Sequence, residues 1–218
     1  MPFVKSLGLA LPAAIAAATA FAFALPAPSR ADTSAGAACA ARNPSLAEYT
    51  FDMNVAMRMR HFPWLGFHLA GSGRYVRGQS HVVDFTQLPF FAKGFNEVDL
   101  SPLDPCIWPR FYAVTSLGTR DGLTTFSLRP RRADPQDKNR LVEALVTLDS
   151  SYATRNVVLH YENGSITIAL TPGSILGYRL PADGEVSIDM PGRSLSAHAD
   201  FTNYSIVSKT TDGSGRRQ

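Results

Sequence analysis

The segment Thr50–Arg60, TFDMNVAMRMR, decides the fold class because its apolar and polar side chains alternate with a period of two. One face of an extended chain would carry the apolar set Phe51, Met53, Val55, Met57 and Met59. The other face would carry Thr50, Asp52, Asn54, Arg58 and Arg60. Such an alternation predicts a long β-strand, about twice the usual length. Which face turns inward stays open, because a register error of one residue exchanges the two faces.

Further runs with the same period lie on both sides of this segment and predict an antiparallel sheet. Asn163-Gly164 joins two of these runs and is the strongest short hairpin signal in the chain. Gly71 and Gly73 interrupt another run and predict a bulge or a sharp bend. About nine to eleven strands are expected in total. They are placed at 49–60, 65–75, 80–86, 111–117, 124–128, 141–148, 157–161, 165–171, 178–180, 185–190 and 195–207.

Helical segments are scarce. Asp32–Glu48 could hold one short helix, and Leu88–Asp99 could hold another that Pro89 and Gly94 would keep short. The prolines around Trp108 predict a loop or a broken turn. The expected fold class is therefore mainly β, with a large curved antiparallel sheet that forms an open half-barrel under one or two short covering helices. Because so few helices would leave part of the concave face uncovered, we expect an apolar cavity there.

The first residues indicate export. Lys5 precedes an apolar run from Leu7 to Leu25, and the run is followed by the small-residue exit Ser29-Arg30-Ala31. These features predict a cleaved signal peptide over residues 1–31 and a periplasmic protein, with one domain over 32–208 and a polar, disordered tail over 209–218. The alternative is an uncleaved anchor, since the run is nearly long enough to span a bilayer. The prolines within and after the run favour cleavage.

The charge of the chain argues against nucleic-acid binding. The formal net charge is +3, and loss of the leader removes Lys5 and Arg30 without any acid, which reduces it by two to +1. The remaining basic residues are mostly scattered along the sequence, whereas a nucleic-acid binder usually concentrates them on one face. We therefore expect no nucleic-acid partner.

Two cysteines, Cys39 and Cys106, are present. In an oxidising compartment they could form a disulfide between the N-terminal segment and the proline-rich loop. Closing a loop of that length would stabilise the fold by roughly 4 kcal/mol. The alternative is two independent buried thiols, because sequence alone does not give the distance between the two Cα atoms.

Three groups of motifs carry a resemblance to a known family. They are LAGSGRY at 69–75 with VVDF at 82–85, VTLDS at 146–150 with VVLHYENG at 157–164, and YRLP at 178–181 with IDMPG at 188–192. Over Ser45–Val207 the chain resembles the LolA/LolB-type periplasmic carriers, the outer-membrane lipoprotein-sorting superfamily. The resemblance implies an open half-barrel capped by helices, with a hollow that holds an acyl chain. It departs from the family at the arginine that typical LolA proteins place in the hollow, for which Arg58, Arg74 and Arg77 are unaligned candidates.

The lipid-binding hypothesis rests on a stripe of methionine and aromatic side chains, which suits a surface that must repack around varied ligands. Phe90, Phe91 and Phe95 would form a lid over it, and Trp108, together with Trp64, would line the mouth. The alternative for each residue is ordinary core packing. The candidate lipid-binding residues are Phe51, Met53, Val55, Met57, Met59, Phe67, Leu69, Val83, Phe85, Phe90, Phe91, Phe95 and Trp108.

Catalytic signals are absent from the sequence. Gly71-Ser72-Gly73 lacks the flanking pattern of a nucleophile elbow, and the five histidines show no short metal-ligand spacing. We therefore expect no enzyme, no metal and no cofactor. The expected function is binding of lipid or lipoprotein acyl chains during transport or sensing, with membrane-associated donor and acceptor proteins as possible partners. The alternative is a non-catalytic scaffold that uses the same fold and pairs with a partner strand.

Overall fold

The computed structural model describes residues 30–62, 64–79, 81–86, 100–132 and 140–209, and these form a single ten-stranded antiparallel sheet with little helix. The helices are α1 (Arg30–Ala41) and the one-turn α2 (Trp108–Phe111), with a 3₁₀ turn at Ser101–Leu103. The strands are β1 (Leu46–Met59), β2 (Gly66–Val76), β3 (Val82–Phe85), β4 (Tyr112–Arg120), β5 (Leu123–Pro130), β6 (Leu141–Leu148), β7 (Thr154–Tyr161), β8 (Gly164–Ile175), β9 (Tyr178–Met190) and β10 (Arg193–Ser208).

The sheet is built from two meanders joined by one long-range pairing. Its strand order is β3-β2-β1-β10-β9-β8-β7-β6-β5-β4, so the first and last strands of the sequence lie side by side inside the sheet, two strands from the β3 edge. β1 pairs with β10 along nearly its whole length, from Leu46↔Ser208 to Met59↔Leu195. Among the described strands, β3 and β4 are the two edges, and the sheet is not closed into a barrel. The predicted open, curved antiparallel sheet is therefore confirmed.

The alternation that predicted β1 is present in the structure. Phe51, Met53, Val55 and Met57 are buried, whereas the side chains between them are exposed or half-buried. The register continues this face across the sheet, since Met57 lies opposite Ala197 on β10. The apolar side of the Thr50–Arg60 segment therefore faces the concave core.

The predicted bulge at Gly71 and Gly73 is wrong. β1 and β2 pair without a register shift from Glu48↔Val76 to Arg58↔Gly66. A Cβ atom on Gly73 would lie only 2.1 Å from Cζ of Phe51, and one on Gly71 would lie 2.9 Å from Cδ1 of Phe85. These glycines leave room for the aromatic rings of Phe51 and Phe85, which is a different use of glycine in a strand.

The predicted strands 178–180 and 185–190 are one continuous strand, β9. In the structure Pro181 lies opposite Pro172 at a register shift between β8 and β9. Proline has no N–H group and cannot donate a hydrogen bond to the neighbouring strand. Because the two prolines lie opposite each other, both missing donors fall at the same place in the pairing of β8 and β9.

The residues around Trp108 close one half of the concave face. Trp108 is fully buried, its indole Nε1 donates to the carbonyl oxygen of Pro102 at 2.9 Å, and its ring centroid lies 5.2 Å from that of Phe126. Together with α1 and the 3₁₀ turn, it covers the side of the sheet formed by β4–β7. The prediction that Trp108 lines a cavity mouth is wrong, because its donor is satisfied inside this solid core.

Helix α1 is attached to the rest of the fold in two ways. A disulfide joins Cys39 to Cys106 with a Cα–Cα distance of 4.7 Å, as predicted. The guanidinium of Arg77 donates to the carbonyl oxygens of Cys39 at 2.8 Å, Arg42 at 2.7 Å and Leu46 at 2.9 Å. Free carbonyl groups at a helix C-terminus favour such a cation, so Arg77 acts as a cap for α1.

Several sequence predictions lie outside the described residues. They are most of the leader, the second helix at Leu88–Asp99, the lid residues Phe90, Phe91 and Phe95, and all but the first residue of the tail. The leader, its cleavage and the domain limits therefore stay predictions. Among the described residues, no helix has the length and hydrophobicity that a membrane span requires.

Candidate functional site

A cavity of about 490 Å³ lies on the concave face, in the half of the sheet that Trp108 does not cover. Its walls come from β1, β3 and β8–β10, and Leu100 and Leu103 border it from the segment that precedes α2. The lining is predominantly apolar. The expected cavity on an incompletely covered sheet is therefore present among the described residues.

Small side chains form part of the wall in this hollow half. Ala197 and Ala199 on β10 and Gly184 on β9 all line the cavity. Ala197 lies between Met57 on β1 and Val186 on β9, so a short side chain is flanked by longer ones. The local sheet surface is therefore a depression, and no described helix fills it.

The cavity brings together six of the predicted lipid-binding residues: Phe51, Met53, Val55, Met57, Val83 and Phe85. Met59, Phe67 and Leu69 do not line it. Phe67 and Leu69 belong to β2, where they lie opposite Met57 and Val55 of β1. They share the concave face of the sheet but are not part of the cavity wall. Trp108 belongs to the other half of the sheet.

The strands that form the opposite wall were missed by the sequence reasoning. Ile166, Ile168 and Leu170 on β8 line the cavity, as does Phe201 on β10. Their alternation with polar residues was visible in the sequence and predicted strands. Their position next to β1 depends on the long-range β1–β10 pairing, which a local period does not provide.

An aromatic cluster closes one end of the cavity. Tyr49 and Tyr75 stack with ring centroids 4.9 Å apart, and Tyr75 lies 4.8 Å from the ring of His81. The hydroxyl of Tyr49 forms a hydrogen bond with Nε2 of His81 at 3.1 Å. Both Tyr49 and His81 line the cavity.

These two groups are uncharged at neutral pH. Burial lowers the pKa of His81 to about 3, and the positive charge of Arg42 contributes in the same direction. Burial raises the pKa of Tyr49 to about 12. The polar end of the cavity therefore offers hydrogen bonds without carrying a charge.

No lysine or arginine lines the cavity within the described parts of the chain. Arg58 is exposed, Arg74 pairs with Glu48 at 2.7 Å, and Arg77 caps α1. None of the three candidates occupies a position inside the hollow. The acidic group of the lining is Asp84, which is exposed.

A second polar cluster lies on the other face of β10. His198 contacts Glu185 at 2.8 Å, Asp183 at 3.2 Å and Asp200 at 3.4 Å. The hydrogen bond to Glu185 raises the pKa of His198, and the two aspartates act in the same direction. The ligand atoms of Asp183, His198 and Asp200 lie within 4.8 Å of one another, and the histidine already contacts both aspartates in this surface cluster.

Solved structures share this architecture at low sequence identity. A LolA superfamily protein from Nitrosomonas europaea is similar with a TM-score of 0.56 and 10% identity, covering 83% of this chain and 94% of that one. A domain assigned to the outer membrane lipoprotein-sorting proteins, from Vibrio parahaemolyticus, gives a TM-score of 0.55 and 10% identity over 84% and 93% of the two chains. A DUF1329 family protein from Desulfovibrio piger gives 0.58 and 9% over 81% and 91%.

No protein-family model and no curated protein matches the sequence. Identities near 10% carry information about the fold alone. The match nevertheless covers 81–84% of this chain and 91–94% of the three solved structures. The chain therefore has the fold of the LolA superfamily, as the sequence motifs predicted.

Proposed function

We propose that this protein is a non-catalytic carrier or sensor that shields the acyl chains of a lipid or lipoprotein in the periplasm. The observation that carries the proposal is the apolar cavity of about 490 Å³, which lies within the range of roughly 300–1,000 Å³ typical of small-molecule sites. The fold of the neighbouring LolA-superfamily structures supports it. The Cys39–Cys106 disulfide suits an oxidising compartment.

The free-energy cost of exposing a lipid tail to water explains what such a cavity would be useful for. A lipid tail in water costs about 0.8 kcal/mol per exposed methylene group, so a chain of sixteen carbons faces a barrier on the order of 12 kcal/mol. Phe51, Met53 and Met57 offer a flexible apolar wall that can replace the membrane interior for the tail. This function requires no catalytic residue.

The direct test is lipid recovery from the purified protein by native mass spectrometry and organic extraction, combined with titration of a fluorescent fatty acid. Met57→Asp would place a charge on the cavity wall and should abolish binding. Leu176→Asp, at a 71% exposed turn position, is the matched control and should bind as the wild type does. Absence of recovered lipid together with absence of fatty-acid binding in the wild type would overturn the proposal.

The alternative is a scaffold that binds a partner strand at a sheet edge. The free edge β4, which carries the exposed Leu117, favours this second function. A scaffold would keep its partner in the Met57→Asp variant as long as that variant folds. A carrier would lose its ligand in the same variant.

A further inference from the structure

The loop between β1 and β2 exposes three large apolar side chains, Phe62, Trp64 and Leu65, which together form an apolar tip. Trp64 is 80% exposed, the largest exposed fraction of any large hydrophobic residue in the described chain, and Phe62 and Leu65 are 49% and 46% exposed. The rings of Phe62 and Trp64 lie edge to face with centroids 5.6 Å apart. They pack on each other and are not part of the core. Exposed apolar patches of this kind mark membrane or partner sites.

Backbone hydrogen bonds anchor the loop to the sheet. The amide of Leu65 donates to the carbonyl oxygen of Phe62 at 2.8 Å, and the amide of Met59 donates to that of Leu65 at 3.3 Å. The amide of Arg60 donates to the carbonyl oxygen of Ser194 on β10 at 3.0 Å. The apolar tip is therefore held at the end of a strand pair that belongs to the main sheet.

The charge beside the apolar tip is positive. Arg58 and Arg60 are exposed, and no aspartate or glutamate occurs between Met53 and Val83. Neither arginine forms an ion pair with a described carboxylate, including that of Asp189 at the nearby end of β9. Tryptophan favours the level of the lipid headgroups, and basic residues are attracted to anionic lipids. The combination therefore suits the surface of an anionic bilayer.

The apolar tip stands near one end of the cavity. Met57 lines the cavity, and Met59, whose amide contacts Leu65, lies two positions further along β1. Two residues of a strand span about 7 Å. None of the three tip residues lines the cavity itself. A surface that receives the tip would therefore lie close to the Met57 end of the cavity, away from the aromatic end at Tyr49.

The small size of the apolar tip favours a bilayer over a protein partner. A stable protein interface needs roughly 20–30 residues on each side, and three side chains fall far short of that. A bilayer surface requires only a few inserted apolar side chains together with electrostatic attraction to anionic lipids.

We propose that Phe62, Trp64 and Leu65 dock this protein on an anionic bilayer, with Arg58 and Arg60 facing the lipid phosphates. This inference goes beyond the proposed function, because it concerns a surface outside the cavity. Docking in this way would bring the Met57 end of the cavity close to the bilayer.

The test uses the intrinsic tryptophan emission of the wild-type protein. The chain has two tryptophans and Trp108 is fully buried, so a change on adding vesicles reports on Trp64. With vesicles of phosphatidylethanolamine and phosphatidylglycerol, the emission should shift to shorter wavelength and be quenched by brominated acyl chains. Vesicles of phosphatidylcholine alone should bind at least about tenfold more weakly.

No shift with the anionic vesicles, or equal affinity for both kinds of vesicle, would overturn the inference. Titration of the fluorescent fatty acid without vesicles tests the proposed function on the same sample. Failure of the fatty acid to bind would contradict the cavity proposal and leave the docking result to be read on its own.

Variants locate the docking at the apolar tip. Trp64→Ser should lower the affinity for anionic vesicles, measured by co-sedimentation, at least about tenfold and should leave fatty-acid binding unchanged. Leu176→Ser is the matched control, because Leu176 is 71% exposed at the turn between β8 and β9, at the other end of the strands. Unchanged vesicle affinity in Trp64→Ser would overturn the inference.

A second pair of variants tests the role of charge. Arg58→Gln combined with Arg60→Gln should weaken binding to anionic vesicles at least about fivefold. Arg120→Gln combined with Arg132→Gln is the control, because it removes the same charge from exposed positions on other strands. Equal weakening by both pairs would show a general attraction to the whole protein and would overturn the inference.

Sedimentation velocity without vesicles tests a second copy of the chain as the occupant of the apolar tip. We expect wild type and Trp64→Ser to have the same oligomeric state. A wild-type dimer that Trp64→Ser dissociates would assign the apolar tip to self-association and overturn the inference.

Discussion

At the scale of single residues, the contact between Gly73 and Phe51 shows how an absent side chain shapes the concave face. The ring of Phe51 occupies the place where a Cβ atom on Gly73 would stand, 2.1 Å from Cζ. A glycine inside a strand can mark a bulge, a sharp bend or the close approach of another group, and the sequence alone does not distinguish these cases. The register of β1 and β2 sets Phe51 opposite Gly73 and so shows that this glycine makes room for the ring of Phe51.

The substitution Gly73→Ala should destabilise the protein by about 1–3 kcal/mol, because the ring of Phe51 must move out of a packed core. Chemical denaturation followed by circular dichroism measures the change. Gly36→Ala is the matched control, since a Cβ atom there meets nothing within 4 Å. In the interior of α1 that change should stabilise by up to about 1 kcal/mol. Equal effects of the two substitutions would contradict this account.

His81 should make the protein sensitive to acid. Its pKa is about 3 in the folded state against 6.5 for the free group, so between these values the unfolded state binds more protons than the folded state. Stability should therefore fall as the pH drops below 6.5, with a slope from this group of about 1.4 kcal/mol per pH unit.

Denaturation midpoints at pH 7, 5 and 4 measure this slope. His81→Phe should show a shallower loss of stability over the same range, whereas His68→Phe should follow the wild type. Identical acid profiles for wild type and His81→Phe would show that the folded-state pKa of His81 is not depressed.

At the scale of secondary-structure elements, the elements that cover the sheet determine where it is hollow. Ala197, Ala199 and Gly184 lie at the floor of the cavity, while on β6 a similar small residue, Ala144, lies under a filled core. Alanine therefore borders empty space in one half of the sheet and packed side chains in the other. What differs is the cover, which Trp108 and α1 supply only over β4–β7.

Filling the cavity should weaken fatty-acid binding without lowering the stability of the fold. Ala197→Leu should keep or raise stability, by about 0.5–2 kcal/mol where the new side chain occupies empty space, and should weaken fatty-acid binding at least tenfold. Ala144→Leu is the control and should cost about 1–3 kcal/mol, because Ala144 is fully buried in the packed half. Calorimetry and probe titration provide the two readouts. A destabilised Ala197→Leu that still binds would show that the cavity is not the binding site.

The elements also show what the sequence could and could not predict. The period of two identified β1, and Asn163-Gly164 identified the β7–β8 hairpin, because both signals are local. The adjacency of β1 and β10 depends on contacts such as that from Asn203 to Asp52, which are 151 positions apart. The β8–β10 wall of the cavity was missed for this reason.

At the scale of the whole molecule, the concave face has a solid half and a hollow half. Arg77 and the disulfide hold α1 against the rest of the fold. Neither Arg77 nor the two cysteines line the cavity. The elements that hold α1 in place therefore lie apart from the cavity.

Removing the disulfide should therefore lower stability without abolishing binding. The double substitution Cys39→Ser and Cys106→Ser opens a covalent link across 67 positions, which corresponds to a loss of roughly 4 kcal/mol. Denaturation with and without a reductant measures the loss, and the reductant should change only the wild type. If the folded double variant cannot bind the fluorescent fatty acid that the wild type binds, the two halves are not separable in this way.

The two free edges of the sheet differ in length, and this has a consequence for self-association. β3 pairs over four residues, whereas β4 extends over nine. Of the described strands, only β4 offers a second molecule a long edge, so edge-to-edge growth would join β4 to β4 in an antiparallel, two-fold arrangement. In such a dimer both β4 edges are paired, and the shorter β3 edges remain on the outside. Polymerisation by this route would therefore be self-limiting at the dimer.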